Sequence, residues 1–282
     1  MNIKKMKDDI VLKIKTYFSD NNILSNSNSF DDYISDWLDI CDKKIISKKR
    51  KVFYSKELQH KIDTNEIDDK TKSLIECFKQ KFENGEDISP FLSKNIKNVT
   101  TIDKLLTIWR IHHLHFTDQL NGEMSKRSDK YILFVINQDN AYFLDQTKHL
   151  SGSEFASRYL LEILANNNWL HFVSIIDSPE VISTRYEITS DEEMYKFWKS
   201  NINYCVFKIG NAFYTNINGL TMAGTSLQNR LHICNLNKAL YSASQSNEII
   251  YSRTELDSKT LKITIYSCYN ENEVEWITIG GD

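Results

Sequence analysis

Four of the seven histidines fall between Trp109 and His149, around two apolar runs. His112-His113-Leu114-His115 comes first, then Lys126-Arg127-Ser128-Asp129-Lys130, then Tyr131 to Ile136 and Ala141 to Asp145, and finally Lys148-His149. Imidazole exchanges protons near neutral pH, and guanidinium and ammonium groups hold phosphate oxygens, so this mixture suits acid–base chemistry beside a phosphate. Residues two apart on a strand share a face and lie roughly 6–7 Å apart, which puts His113 and His115 together and His112 on the opposite face with Leu114. The chemistry would be RNA cleavage. One imidazole takes the proton of a 2′-hydroxyl as it attacks the adjacent phosphate, and another protonates the departing 5′-oxygen. His115 is the candidate base, His113 or His149 the candidate acid, and Arg127 the phosphate clamp. Lys130, Lys148, Lys49 and Arg50 are the candidate RNA-backbone contacts. No metal or cofactor is required.

Each of these residues also has a plainer role. His113 and His115 can be hydrogen-bonded strand residues, Arg127 and Lys130 can solubilise a strand entrance, and His149 can cap or sit on the surface. A metal-dependent nuclease is a further reading, with His113 and His115 as ligands and Asp145 or His149 as a third. The chain has no His-Glu-x-x-His pattern to support it. The other alternative is a non-catalytic interaction or regulatory module.

The elements that must position these side chains are legible from spacing. Ser29 precedes a helical stripe of Phe30, Ile34, Trp37 and Leu38. Leu74, Ile75, Phe78 and Phe82 repeat the spacing and Gly85 marks a stop. Thr100 and Asp103 suggest a capping box ahead of Ile102, Leu105, Leu106 and Trp109. Alternation from Ile111 predicts the histidine strand. Tyr131 to Ile136, apolar on both faces, predicts a central strand, with Gln138-Asp139-Asn140 turning into Ala141 to Asp145. Ser151 with Glu154 and Ser190 with Glu193 start two further helices, a hairpin surrounds Gly210-Asn211, a helix runs near 226–241, and three strands follow. The expected class is α+β. It comprises a helical region over 1–98, a small antiparallel sheet with flanking helices over 99–178, and a C-terminal α+β unit over 179–282.

Composition narrows the function classes. With 282 residues, 41% hydrophobic and 26% charged, the chain resembles an ordinary globular protein. Its net charge of -3 gives no global attraction to nucleic acid, so any RNA contact must be a local basic patch such as Lys48-Lys49-Arg50-Lys51. Five scattered cysteines without a Cys-x-x-Cys pair argue against a zinc ribbon or redox motif. No apolar run is long enough to span a bilayer and no signal core follows Met1, so a cytoplasmic location is expected. The glycines near Gly219 and Gly224 lack the Lys-Ser/Thr of a phosphate-binding loop.

The order of parts from Ile111 to His149 resembles the core of RelE/ParE-type toxins. The resemblance lies in a short His-bearing strand, Arg127 to Lys130, Tyr131 to Ile136, Ala141 to Asp145 and a terminal His149. It implies a compact sheet flanked by helices, ribonuclease activity of a toxin or phage-defence kind, and a protein inhibitor or antitoxin as partner. The His113-Leu114-His115 pair departs from the Lys/Arg-rich catalytic sets common in that family, and the chain is much longer than a typical member. A second likeness, which includes Asn95 to His115, is to uncharacterised bacterial or phage-associated proteins and implies no activity.

Overall fold

A computed structural model of the chain describes residues 3–117, 120–121, 124–126, 128, 130–148, 151–170, 173–175, 188, 190–202, 206–210, 212–216, 218–245, 249–267 and 270–280. The class is α+β. The helices are α1 (Ile3–Asp20), α2 (Phe30–Lys43), α3 (Lys56–Asp63), α4 (Asp69–Asn84), α5 (Lys104–Trp109), α6 (Arg158–Asn166), α7 (Asp191–Lys199) and α8 (Leu227–Ser244). The strands are β1 (Lys51–Tyr54), β2 (His112–His115), β3 (Leu120–Asn121), β4 (Met124–Ser125), β5 (Lys130–Asn137), β6 (Asn140–Lys148), β7 (Val173–Ile175), β8 (Val206–Ile209), β9 (Ala212–Asn216), β10 (Ile249–Leu256), β11 (Thr260–Ser267) and β12 (Asn270–Gly280). No helix among the described residues is long and apolar enough to cross a membrane.

Two compact units share the chain, and neither is continuous. One comprises residues 1–44, 95–102 and 225–282, the other 45–94 and 103–224. The boundaries 1–98, 99–178 and 179–282 read from the sequence therefore do not coincide with them. Local pattern cannot reveal that the two ends of a chain fold together.

The first unit carries α1, α2, α8 and the antiparallel β10-β11-β12 meander. Met6, Ile10, Ile14 and Phe18 recur along one face of α1 and join Ile34, Trp37, Ile233, Leu236, Leu261 and Ile263 in one core. α2 starts where Ser29 accepts from the Asp32 N–H and ends at Lys43, whose ammonium donates to the carbonyls of Asn98 at 2.7 Å and Thr101 at 2.6 Å. Asp39 faces α8, where Asn229 Nδ2 donates to Oδ1 at 2.8 Å.

Burial pushes the Asp39 carboxyl up from 3.8 to about 6. Between those values the folded protein holds a proton that the unfolded chain has already released. Stability therefore falls as pH rises through this window and is level above it, a change of up to about 3 kcal/mol. Asp39→Asn keeps the acceptor for Asn229 and is expected to flatten that fall. Urea midpoints measured from pH 4 to 7 should converge for the two proteins at the acid end and separate, with the variant higher, at the neutral end.

The second unit is built on a four-stranded sheet in the order β1-β6-β5-β2. β5 pairs antiparallel with both β6 and β2, while β1 runs parallel to β6. The sheet is thus mixed, where the sequence suggested an antiparallel one. The difference is β1, a four-residue strand inside a segment read as helical and basic. α4 covers one face through Phe78 and Phe82. Phe82 meets Phe134 and Phe143 edge-on at 5.4 and 5.6 Å. α4 stops at Gly85, which adopts a left-handed conformation (φ 76°), and a Cβ there would lie 2.8 Å from the Lys49 nitrogen. The remaining described strands of the unit form the β3-β4 pair and the β7-β9-β8 sheet.

Candidate functional site

The histidine strand is positioned by the turn before it. Asp103, not Thr100, caps α5, with Oδ1 accepting from the Leu106 N–H at 3.1 Å. The six-residue helix ends at Arg110, whose left-handed backbone (φ 55°) turns the chain into β2. Leu114 is fully buried and fixes the facing of the strand, with His113 and His115 on the other side. Among the described residues β2 is an edge strand paired with β5, with His113 opposite Leu133 and His115 opposite Tyr131.

His113 and His115 consequently share a face, their ring centroids 6.2 Å apart. Tyr131 meets both edge-on, at 5.3 Å from His113 and 4.8 Å from His115. Both imidazoles are half-buried. His113 Nδ1 lies 3.5 Å from Asp103 Oδ2, so one carboxylate caps α5 with one oxygen and faces an imidazole with the other. That contact orients the ring. His112 takes the opposite face, stacked on Phe134 at 5.2 Å.

Asp103→Asn separates the two duties of this side chain. Asparagine caps a helix about as well as aspartate, so thermal stability should change by less than about 0.5 kcal/mol. The charge beside His113 disappears, and any reaction that uses this ring should slow about tenfold. Asp103→Ala should lose both functions, adding about 1 kcal/mol of destabilisation.

The other named residues do not all gather here. Arg127 and His149 lie outside the described residues. Lys130 points to the opposite face, where its ammonium donates to Asp68 Oδ2 at 2.6 Å and Thr71 Oγ1 at 2.9 Å at the start of α4. That hydrogen bond, with those from Thr71, holds the Asp68 carboxyl well below the usual range. Lys148 pairs with Lys130 across β5 and β6 and is exposed. Lys49 is exposed, but Arg50 is not an RNA contact: it is only 4% exposed, and Nη1 donates to the Ile46 carbonyl at 2.7 Å. A guanidinium so enclosed is held to its own loop.

The metal reading with Asp145 as third ligand fails on placement; His149, the other candidate third ligand, lies outside the described residues. Register puts Asp145 opposite Leu133, two strands from His113, roughly 10 Å at ~4.8 Å per strand. Both its oxygens are taken by Lys61 Nζ, at 2.8 and 2.7 Å. Among the described residues no three metal-ligating groups converge. The facing of Asp145 follows from a bulge. Phe134 pairs with Phe143 and Leu133 with Asp145, which leaves Leu144 as the extra residue and turns Asp145 to the face opposite Phe143.

Asp103 and Tyr131 are the site members that sequence reasoning missed. Tyr131 opens the central apolar run and was legible as its first residue. Its contact with both histidines depends on register. Asp103 carried a signal as a capping residue, but the neighbouring Thr100 competed for that role. Compared with known proteins, the chain matches no family model, no curated protein and no solved structure.

Proposed function

We propose that the protein is a metal-independent endoribonuclease, of the toxin or phage-defence kind, that cleaves RNA by histidine acid–base catalysis. The observation that supports it is the pairing of His113 and His115 on one face, 6.2 Å apart, with His113 oriented by Asp103. A phosphodiester placed between the rings would give its 2′-hydroxyl proton to His115, and the 2′-oxygen would attack phosphorus. His113 would protonate the 5′-oxygen as its bond to phosphorus breaks. The products are a 2′,3′-cyclic phosphate and a 5′-hydroxyl. Arg127 remains the proposed clamp for the charge that builds on the phosphate.

The test uses purified full-length protein and a 5′-labelled RNA. Cleavage should persist in excess chelator and leave cyclic-phosphate ends, and an RNA with a 2′-O-methyl group at the cut site should resist. Cleavage that needs an added divalent ion, or that accepts the methylated RNA, overturns the reading.

A further inference from the structure

The strand at the other edge of the same sheet, β1, forms the floor of an open groove of about 670 Å3. Lys51 N donates to the Asp139 carbonyl at 2.8 Å and Ser55 N to the Phe143 carbonyl at 2.9 Å, both toward β6. Parallel pairing alternates, so Phe53 also faces β6, and the N–H and C=O groups of Val52 and Tyr54 point the other way. Both residues line the groove. Four backbone groups in a row, spaced by two residues, match the backbone of one further strand. Beside them Phe53 stacks on Tyr142 at 5.4 Å yet remains 44% exposed, an apolar seat for an alternate side chain of such a strand.

Charge indicates the sequence that would fit. Lys56 and Lys79 line the groove, and the exposed Lys51 begins the strand. Against them stands Asp63, which accepts from Gln59 at 2.8 Å, while Lys79 lies 3.7 Å from Glu76. We propose that the β1 edge takes up an extended acidic segment of a partner protein as an added strand, with main-chain hydrogen bonds to Val52 and Tyr54 and an apolar side chain on Phe53. A second copy of this chain pairing β1 to β1 would bring the same lysines together, which disfavours it. The proposal concerns the edge opposite β2 and does not rest on the ribonuclease reading.

The probe is a labelled seven-residue peptide of alternating Glu and Val, titrated into the full-length protein and followed by fluorescence anisotropy and amide hydrogen exchange. Binding should protect the Val52 and Tyr54 amides while Phe53, already bonded to β6, stays unchanged. Methylating the peptide nitrogens that face β1 should abolish binding without altering the protein. The pair Lys56→Glu and Lys79→Glu should weaken binding about tenfold, and a Lys/Val peptide should not bind. Equal binding of the methylated peptide, or binding without protection at Val52 and Tyr54, overturns the proposal. So does an absence of binding at millimolar peptide, or protection of those amides by concentration-dependent self-association alone.

Discussion

His115→Gln is expected to reduce RNA cleavage by about 10²–10⁴-fold while the protein stays folded. Glutamine fills a similar volume against Tyr131 but cannot exchange a proton near neutral pH. His113→Gln should produce a loss of the same order. Because both rings would serve one displacement, the double variant should be scarcely slower than the slower single one. Thermal unfolding of each variant, run beside the cleavage assay, separates lost chemistry from lost structure. If the double variant cleaves RNA as fast as the unaltered protein, these histidines are packing residues.

The second large effect lies in the interior of the same unit. Lys61→Met should destabilise it by about 3–5 kcal/mol at neutral pH, because it strands a carboxylate that is only 4% exposed. Burial raises the Asp145 carboxyl above its ordinary value even with Lys61 alongside. Without the ammonium it must rise further. Sign follows from proton binding: over the pH range between the unfolded and folded values, the folded variant carries a proton that the unfolded chain lacks. Its stability then falls as pH rises, and its deficit against the unaltered protein shrinks in acid. Denaturant midpoints across pH report this directly. The double variant Lys61→Met/Asp145→Asn should recover most of the loss, since a neutral amide still accepts from the Gln146 N–H, 2.8 Å away in the native protein. A pH-independent deficit, unchanged in the double variant, would mean that Lys61 acts through its packing alone.

Much of the local structure was legible where caps and apolar spacing agree. Ser29 with the Phe30–Leu38 stripe marked α2, and Gly85 after Phe82 marked the end of α4. The shared face of His113 and His115 followed from a period of two, because buried Leu114 holds the opposite face of the strand inward. Other features depend on partners distant in sequence. β1 is a short Val-Phe-Tyr run whose mate is about ninety residues away. Lys130 lies on the face opposite Tyr131 and the histidines, where Asp68 and Thr71 at the start of α4 hold it. Asp145 faces Lys61 only because of an extra residue at Leu144, and a bulge has no sure mark in a single sequence. The candidate site was half visible: two histidines were read correctly as a pair, while the carboxylate and phenol around them needed the turn and the register.

The core that joins the first forty-odd residues to the last sixty has a consequence for biosynthesis. When α1 leaves the ribosome, the side chains that will cover Met6, Ile10, Ile14 and Phe18 from β11 and α8 have yet to be translated. At about 5–20 residues per second that delay is on the order of tens of seconds. For this interval the nascent chain carries a greasy stripe covered by α2 alone, so holdase chaperones have a natural target there, and the inserted unit has time to fold first.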